Sequence, residues 1–355
     1  MHYRLQALAI VGGRAVRVLC LRVPSGTFTA WLLRIFLAYR LIITMEDRIL
    51  GLHHLTAIAS DPQRNFDFYA KVLGLRFIKK TVNFDDPGTY HFYFGDEVGS
   101  AGTILTFFPW PHITRGRRGP GQTTAISYSV PAGSLNFWMQ RFDQQQVSYT
   151  QPSERFGEQY LSFLDPDGLQ LELIVSKTPD ARTPWTTPEV SADVATRGFH
   201  CVTLTLASVQ ATAAILTEVF GYQLVAQDGN RYRYATDAVA SANLIDLVEV
   251  GGAAPSITAG GTVHHVAFRV KDDATLMQFR ARVAARGLSI TPQIDRQYFH
   301  SLYFREPGGV LFEIATDNPG FMVDEPLAEL GTHLLLPPQY EARRWQIEER
   351  LPKLV

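Results

Sequence analysis

Gly51 to Ile58 reads G-L-H-H-L-T-A-I, and Thr262 to Arg269 reads T-V-H-H-V-A-F-R. Both are short alternating runs opened by paired histidines, and in each an aspartate (Asp61 or Asp272) follows just before a helical stretch. The second copy closes on E-P-G-G-V-L-F-E-I-A from Glu306, which puts Glu313 on the last strand of the same unit. Alternation with β-branched residues argues for strands, and in a strand residues of equal parity share a face. His54, His265 and Glu313 therefore occupy matching places in a repeated unit. Two neutral imidazoles and one carboxylate would leave positions open on an octahedral ion, the donor pattern of the two-histidine, one-carboxylate metal sites.

The same unit can be traced four times after Leu50. Its first strands begin at Leu52 (L-H-H-L-T-A-I-A), Thr124 (T-A-I-S-Y-S-V), Phe199 (F-H-C-V-T-L-T-L) and Val263 (V-H-H-V-A-F-R-V). A helix should follow each. Asp61-Pro62 forms a cap and first-turn pair, Ser208 should open the third helix, and Asp272 or Asp273 the fourth; glycines at 74, 221 and 287 close three of them. Two more strands complete each unit around turns such as Asp165-Pro-Asp-Gly168 and Glu306-Pro-Gly-Gly309. The expected fold is α+β: four βαβββ modules in two cup-shaped mixed sheets, with unit 1 paired to unit 4 and unit 2 to unit 3. The pairing follows because His54 must reach His265 and Glu313.

Aligning the four copies tests which of them carries ligands. The place of His54 holds Ala125, Cys201 and His265 in the other units, and that of Glu313 holds Thr106, Glu172 and Asp246. Units 1 and 4 thus supply one metal site, and units 2 and 3 a poorer set. His200 matches the first histidine of each pair and reads as structural. His91, His112 and His333 belong to no constellation and read as ordinary residues.

At 355 residues, with 46% apolar and 19% charged residues and a formal net charge of −1, the chain is globular and offers no electrostatic case for a nucleic-acid partner. Two cysteines, Cys20 and Cys201, form no disulfide framework, and a cytoplasmic location is expected. Residues 1–44 hold six Arg and no Lys, Asp or Glu; their most apolar run, Thr29 to Ile43, is 15 residues and contains Arg34 and Arg40. That is short and charged for a membrane span, so no stable insertion is expected. A membrane-surface helix, a transit-like segment and translated sequence upstream of a start at Met45 are the readings, with the last favoured. The plan is then residues 1–44 as a non-core extension, 50–175 for modules 1 and 2, 198–317 for modules 3 and 4, and 318–355 as a tail with a helix from Pro338 to Leu351. Pro109 to Gly121, with Arg115, Arg117 and Arg118, reads as a solvated linker.

Together these residues resemble the vicinal oxygen chelate (glyoxalase–bleomycin resistance) superfamily. Residues 46–355 are most similar to its ring-cleaving dioxygenases of hydroquinone type, on the segments D-F-Y-A-K-V-L-G-L-R-F-I-K-K-T-V-N-F-D (from Asp67), Y-H-F-Y-F-G-D (from Tyr90), G-T-I-L-T-F-F-P-W (from Gly102), R-Q-Y-F (from Arg296) and the two histidine pairs. The resemblance implies Fe(II), with Mn(II) as the alternative, on His54, His265 and Glu313. It implies an aromatic diol and O₂ as reactants, and places His53 and Thr56 around the substrate. It also suggests His264 as acid/base, Tyr303 as hydrogen-bond donor to the bound oxygen and Arg296 as stabiliser of anionic charge. Regular pleating would turn His53 and His264 away from the ligands, so a strand-start twist or a neighbouring loop must bring them near. A glyoxalase-like metal-dependent lyase or isomerase is the first alternative, against which Thr106 stands where a second carboxylate would be needed. A non-catalytic binding or resistance protein is the second. A homo-oligomer is compatible with either.

Overall fold

The structure, a computed structural model, describes residues 8–11, 14–17 and 47–355. A short antiparallel hairpin, Leu8–Val11 with Arg14–Arg17, belongs to a unit separate from Asp47–Val355. The rest of the N-terminal extension lies outside the described residues.

Sixteen strands of the main unit follow the repeated plan. Module 1 contributes β1 (Leu52–Ala59), β2 (Arg76–Val82), β3 (Tyr90–Gly95) and β4 (Ile104–Pro109). Module 2 adds β5 (Gln122–Val130), β6 (Ser153–Arg155), β7 (Glu158–Leu164) and β8 (Gln170–Val175). In module 3 these are β9 (Phe199–Leu206), β10 (Gln223–Asp228), β11 (Arg231–Ala235) and β12 (Leu244–Glu249). Module 4 closes with β13 (Thr262–Val270), β14 (Ile294–Asp295), β15 (Phe299–Arg305) and β16 (Leu311–Pro319).

Two eight-stranded sheets result, ordered β14-β15-β16-β13-β1-β4-β3-β2 and β10-β11-β12-β9-β5-β8-β7-β6. Each module's first strand runs parallel to its own last strand, and the first strands of modules 1 and 4 pair antiparallel at the centre of one sheet. Modules 2 and 3 meet in the same way in the other. The cups therefore join unit 1 to unit 4 and unit 2 to unit 3, as the sequence predicts.

Helices cover the opposite faces and tie each module to its neighbour in sequence. In module 1, Pro62–Phe66 continues through a π-turn, Asp67–Val72, and places the Tyr69 ring 4.4 Å from Phe107 and the Phe68 ring 6.4 Å from Phe163 of module 2. In module 3, Gln210–Ala214 runs into a π-turn, Ile215–Val219, after which Phe220 packs 4.7 Å from Phe268 of module 4. Burying each such ring contributes roughly 1.5–3 kcal/mol. Asp61 and Asp272 cap their helices, accepting from the Arg64 and Thr275 amides at 2.7 and 2.9 Å. Ser208 does not cap the third helix: the Glu249 carboxylate takes the Val209 amide at 2.9 Å, while Ser208 bonds Gln210. Downstream, Pro338–Arg343 is a 3₁₀ segment and Arg344–Arg350 an α-helix. Arg117 in the linker donates twice to the Pro255 carbonyl.

Registers place Thr106, Glu172, Asp246 and Glu313 at one equivalent position, opposite Thr56, Ser127, Thr203 and Ala267. In the cup of modules 2 and 3 the two carboxylates are neutralised by arginines. Glu172 receives both terminal nitrogens of Arg155 (3.1 and 2.5 Å), and Asp246 receives Arg233 Nε and Nη2 (2.8 and 3.1 Å) and Arg231 (3.0 Å). Arg233 also reaches Glu158 at 2.5 Å, which His200 meets at 3.1 Å. His200 is thus held in an ion-pair network, in keeping with a structural role. Burial alone would raise the Glu158 carboxyl, but His200 and Arg233 outweigh it and bring it down to about 2. Its contribution to stability is therefore present above the ordinary glutamate range and is lost as pH falls toward about 2. Arg233→Met leaves Asp246 and Glu158 short of a buried partner, so it should lower the unfolding free energy by about 3–5 kcal/mol in urea titration while leaving divalent-metal retention unchanged.

Candidate metal centre

In the cup of modules 1 and 4, β1 presents His54, β13 presents His265 and β16 presents Glu313. His54 lies across from Ala267 and His265 across from Thr56 in the central antiparallel pair, with Glu313 beside Ala267 on the parallel strand. One ligand atom from each of the three lies within 4.8 Å of the others. His54 Nε2 is 3.3 Å from His265 Nε2; Glu313 Oε2 is 3.2 Å from the first and 2.9 Å from the second.

All three residues are buried, Glu313 at 0% exposure. Despite the short separations, among the described residues no donor is directed at either Glu313 oxygen in hydrogen-bonding geometry. Burial would raise this carboxyl, but the facing imidazoles outweigh it and hold it well below the ordinary carboxylate range. Burial likewise lowers His265, which favours the neutral ring. An ionised carboxylate and two imidazole nitrogens buried within 4.8 Å of one another form a costly arrangement by themselves, and a fitting donor set for one divalent cation.

His53 and His264 depart from the pleating that the sequence suggests. In the β1–β13 pair the register slips once at each residue, so both are the extra residue of a β-bulge. The slip turns each ring back toward its neighbour. His53 Nδ1 lies 2.8 Å from His54 Nδ1, and His264 Nδ1 lies 2.8 Å from His265 Nδ1. The same slip recurs at Thr124 and His200 in the other sheet, so the bulge is a property of the module. His264 lines the cavity; His53 is buried behind His54 and Phe299. Burial, followed by the neighbouring His265, lowers His264 to about 3.

The cavity over the cluster measures about 430 Å³. Phe299, 4.8 Å from His54, forms one wall; Phe84, Phe108, Trp110 and Leu311 supply other apolar surfaces. Arg296 and Tyr303 both line it: Arg296 Nε donates to the Tyr303 hydroxyl at 3.3 Å, and its Nη1 approaches Asp85 at 3.4 Å. Burial raises the Tyr303 phenol, keeping it protonated. Thr56 sits on the ligand face and bonds Thr106 at 2.8 Å. His91, read from sequence as ordinary, lines the same cavity. Its signal was available: parity in Y-H-F-Y-F puts His91 and Tyr93 on one face, with Phe92 and Phe94 on the other.

Residues 51–173 and 198–314 match the model of the glyoxalase/bleomycin resistance protein/dioxygenase superfamily. The chain belongs to that superfamily. It is 48% identical over 309 residues to the "Putative ring-cleaving dioxygenase MhqO" of Bacillus subtilis (strain 168), covering 86% of this chain and 97% of that one. It is 37% identical over 308 residues to a chlorohydroquinone/hydroquinone 1,2-dioxygenase of Sphingobium indicum, covering 84% and 95%. A crystal structure of a "putative dioxygenase" from Bacillus subtilis superposes with a TM-score of 0.83 at 47% identity, over 87% of this chain and 98% of that one. With relatives of this kind, the chain is an enzyme of the ring-cleaving dioxygenase class, an oxidoreductase that incorporates O₂. Among the described residues no helix is long and apolar enough to cross a membrane.

A cation that binds only the folded cluster stabilises it by mass action, by about 2.7 kcal/mol at a hundredfold excess over Kd. Added Fe(II) or Mn(II) should therefore raise the anaerobic melting temperature of the wild-type protein and leave that of Glu313→Gln unmoved.

Proposed function

We propose that this enzyme is a non-haem Fe(II) dioxygenase, with Mn(II) as the alternative ion, that opens the ring of hydroquinone- or catechol-type diols. The observation that carries the reading is the convergence of His54 Nε2, His265 Nε2 and Glu313 Oε2 beside an aromatic-walled cavity that both histidines line. Relatives named as hydroquinone and ring-cleaving dioxygenases support the substrate class. When bound, the ion supplies open positions for a diol oxygen and O₂ and a path for electrons between them.

The chain supplies orientation, proton placement and charge. With Nε2 of His54 and His265 committed as ligands, their Nδ1–H groups donate to His53 and His264, which fixes the tautomer and plane of each ligand ring. His264, neutral because it is buried, then carries its own proton on Nε2 at the cavity, placed to donate a hydrogen bond to a substrate oxygen. Tyr303 keeps its proton and acts as a donor. Arg296, joined to Tyr303, offers fixed positive charge where anionic oxygen develops. Phe299, Phe108 and Trp110 hold the ring and displace water. The cavity volume falls within the usual range for small-molecule sites, about 300–1,000 Å³, so a single aromatic ring with substituents is accommodated.

Protein loaded anaerobically with Fe(II) should take up O₂ with hydroquinone, its methyl and chloro derivatives, or catechol, and yield a ring-opened product by absorbance. No uptake with the whole panel at confirmed metal content would overturn the reading. His54→Ala, His265→Ala and Glu313→Gln should lose metal and turnover together. His264→Ala should keep the metal while turnover falls roughly 10²–10³-fold, the usual cost of removing one hydrogen-bond donor from a site of developing negative charge. Metal loss from His264→Ala with retention in His265→Ala would reverse the assignment within that pair.

A further inference from the structure

Beside the His–His–Glu cluster, the cup face of module 1 carries a row of four side chains joined end to end. Tyr93 Oη lies 2.9 Å from His91 Nδ1, His91 Nε2 lies 2.9 Å from Thr106 Oγ1, and Thr106 Oγ1 lies 2.8 Å from Thr56 Oγ1. Three adjacent strands supply them: Tyr93 pairs with Thr106 across β3–β4, and Thr106 with Thr56 across β4–β1. Tyr93, Thr106 and Thr56 are all buried, and Thr56, His91 and Tyr93 line the cavity.

The row has a direction. Each hydroxyl has one proton to give, and a neutral imidazole donates from one nitrogen and accepts at the other. Burial lowers His91 well below the ordinary histidine range, so its ring is neutral, and burial keeps the Tyr93 phenol protonated. Among the described residues the Tyr93 hydroxyl has His91 Nδ1 as its hydrogen-bond partner. Donation from Tyr93 to Nδ1 puts the His91 proton on Nε2, which donates to Thr106. Thr106 then donates to Thr56, and the Thr56 proton is left for the cup. The opposite sense would turn the phenol proton away from His91 Nδ1, its protein acceptor among the described residues.

Thr106 makes this possible. Its register position holds a carboxylate in the other three modules, Glu172, Asp246 and Glu313. An ionised carboxylate only accepts, and a chain of donors would stop there. A hydroxyl passes the direction on.

We propose that His91, together with Tyr93 and Thr106, is a positioning residue that orders the Thr56 hydroxyl as a hydrogen-bond donor toward an anionic oxygen of the bound diol. The ligand in this statement rests on the dioxygenase reading; the direction of the row does not.

Two measurements separate them. In the full-length, metal-free, ¹⁵N-labelled protein, the His91 imidazole should be the Nε2–H tautomer, with the bias lost in Tyr93→Phe. An Nδ1–H ring in the wild-type protein overturns the relay whatever the enzyme does with O₂. In Fe(II)-loaded protein under anaerobic conditions, hydroquinone binding is followed by ultraviolet difference absorbance, which also reads phenol ionisation. His91→Phe should keep its metal, bind hydroquinone about tenfold more weakly, the scale of one lost charge-assisted hydrogen bond, and shift the bound diol toward its protonated form. His91→Gln, whose amide N–H can still donate to Thr106, should recover most of both effects. Equal binding and ionisation in wild-type, Phe and Gln proteins overturns the proposal. A wild-type protein that binds no hydroquinone removes the diol from it, and with it the dioxygenase reading, while the tautomer still decides the row.

Discussion

A carboxylate at 0% exposure with no donor among the described residues directed at it is a large electrostatic debt inside a fold, and in this molecule Glu313 carries it. Two imidazole nitrogens face it from different strands, one belonging to the first module and one to the last. A shared divalent ion would bind β1, β13 and β16 into one unit at the centre of the sheet. The cavity opens beside that charge, lined from both the first and the last module.

The sister cup holds the same problem with a different solution. Glu172 and Asp246 stand at the register positions of Thr106 and Glu313, yet Arg155, Arg231 and Arg233 reach them from neighbouring strands. Guanidinium groups fill the space that the other cup leaves to a cavity, with planar, two-pronged hydrogen bonds in place of coordination. One fold thus contains a buried charge satisfied from within and another that calls for an ion. The difference lies in a few cationic side chains on strands that the first-strand pattern does not reveal.

Much of this was legible in the sequence because a repeat multiplies weak signals. His54, His265 and Glu313 were each ambiguous alone, and the equivalence of four copies singled them out; the observed registers put those copies in the same alignment. Parity alone would turn His53 and His264 away, and the device that brings them back, a bulge at each residue in place of a strand-start twist or loop, was not legible in the pattern. His91 was passed over as a lone strand histidine, although its alternation with Phe92 and Phe94 placed it on the same face as Tyr93. Ser208 does not cap: its hydroxyl bonds the Gln210 side chain, and the amide taken at this helix start is that of Val209, by Glu249 from a distant strand that local sequence does not reveal. The π-turns that close two helices likewise left no mark in composition or period.

The separation of His54 from His265, 211 positions along the chain, also has a cost during synthesis. At about 5–20 residues per second, β1 leaves the ribosome roughly 10–40 s before its central partner β13 exists. For that interval an apolar strand destined for the middle of a sheet has an open edge, the condition under which chains pair wrongly with one another. The contacts that finish the cup are among the longest in the molecule, and loop-closure entropy must be met before they form. Modules 1 and 2, joined through Phe68 and Phe163, can shelter the helix side of the nascent sheet in the meantime. Its edge stays exposed until nearly the whole protein has been made.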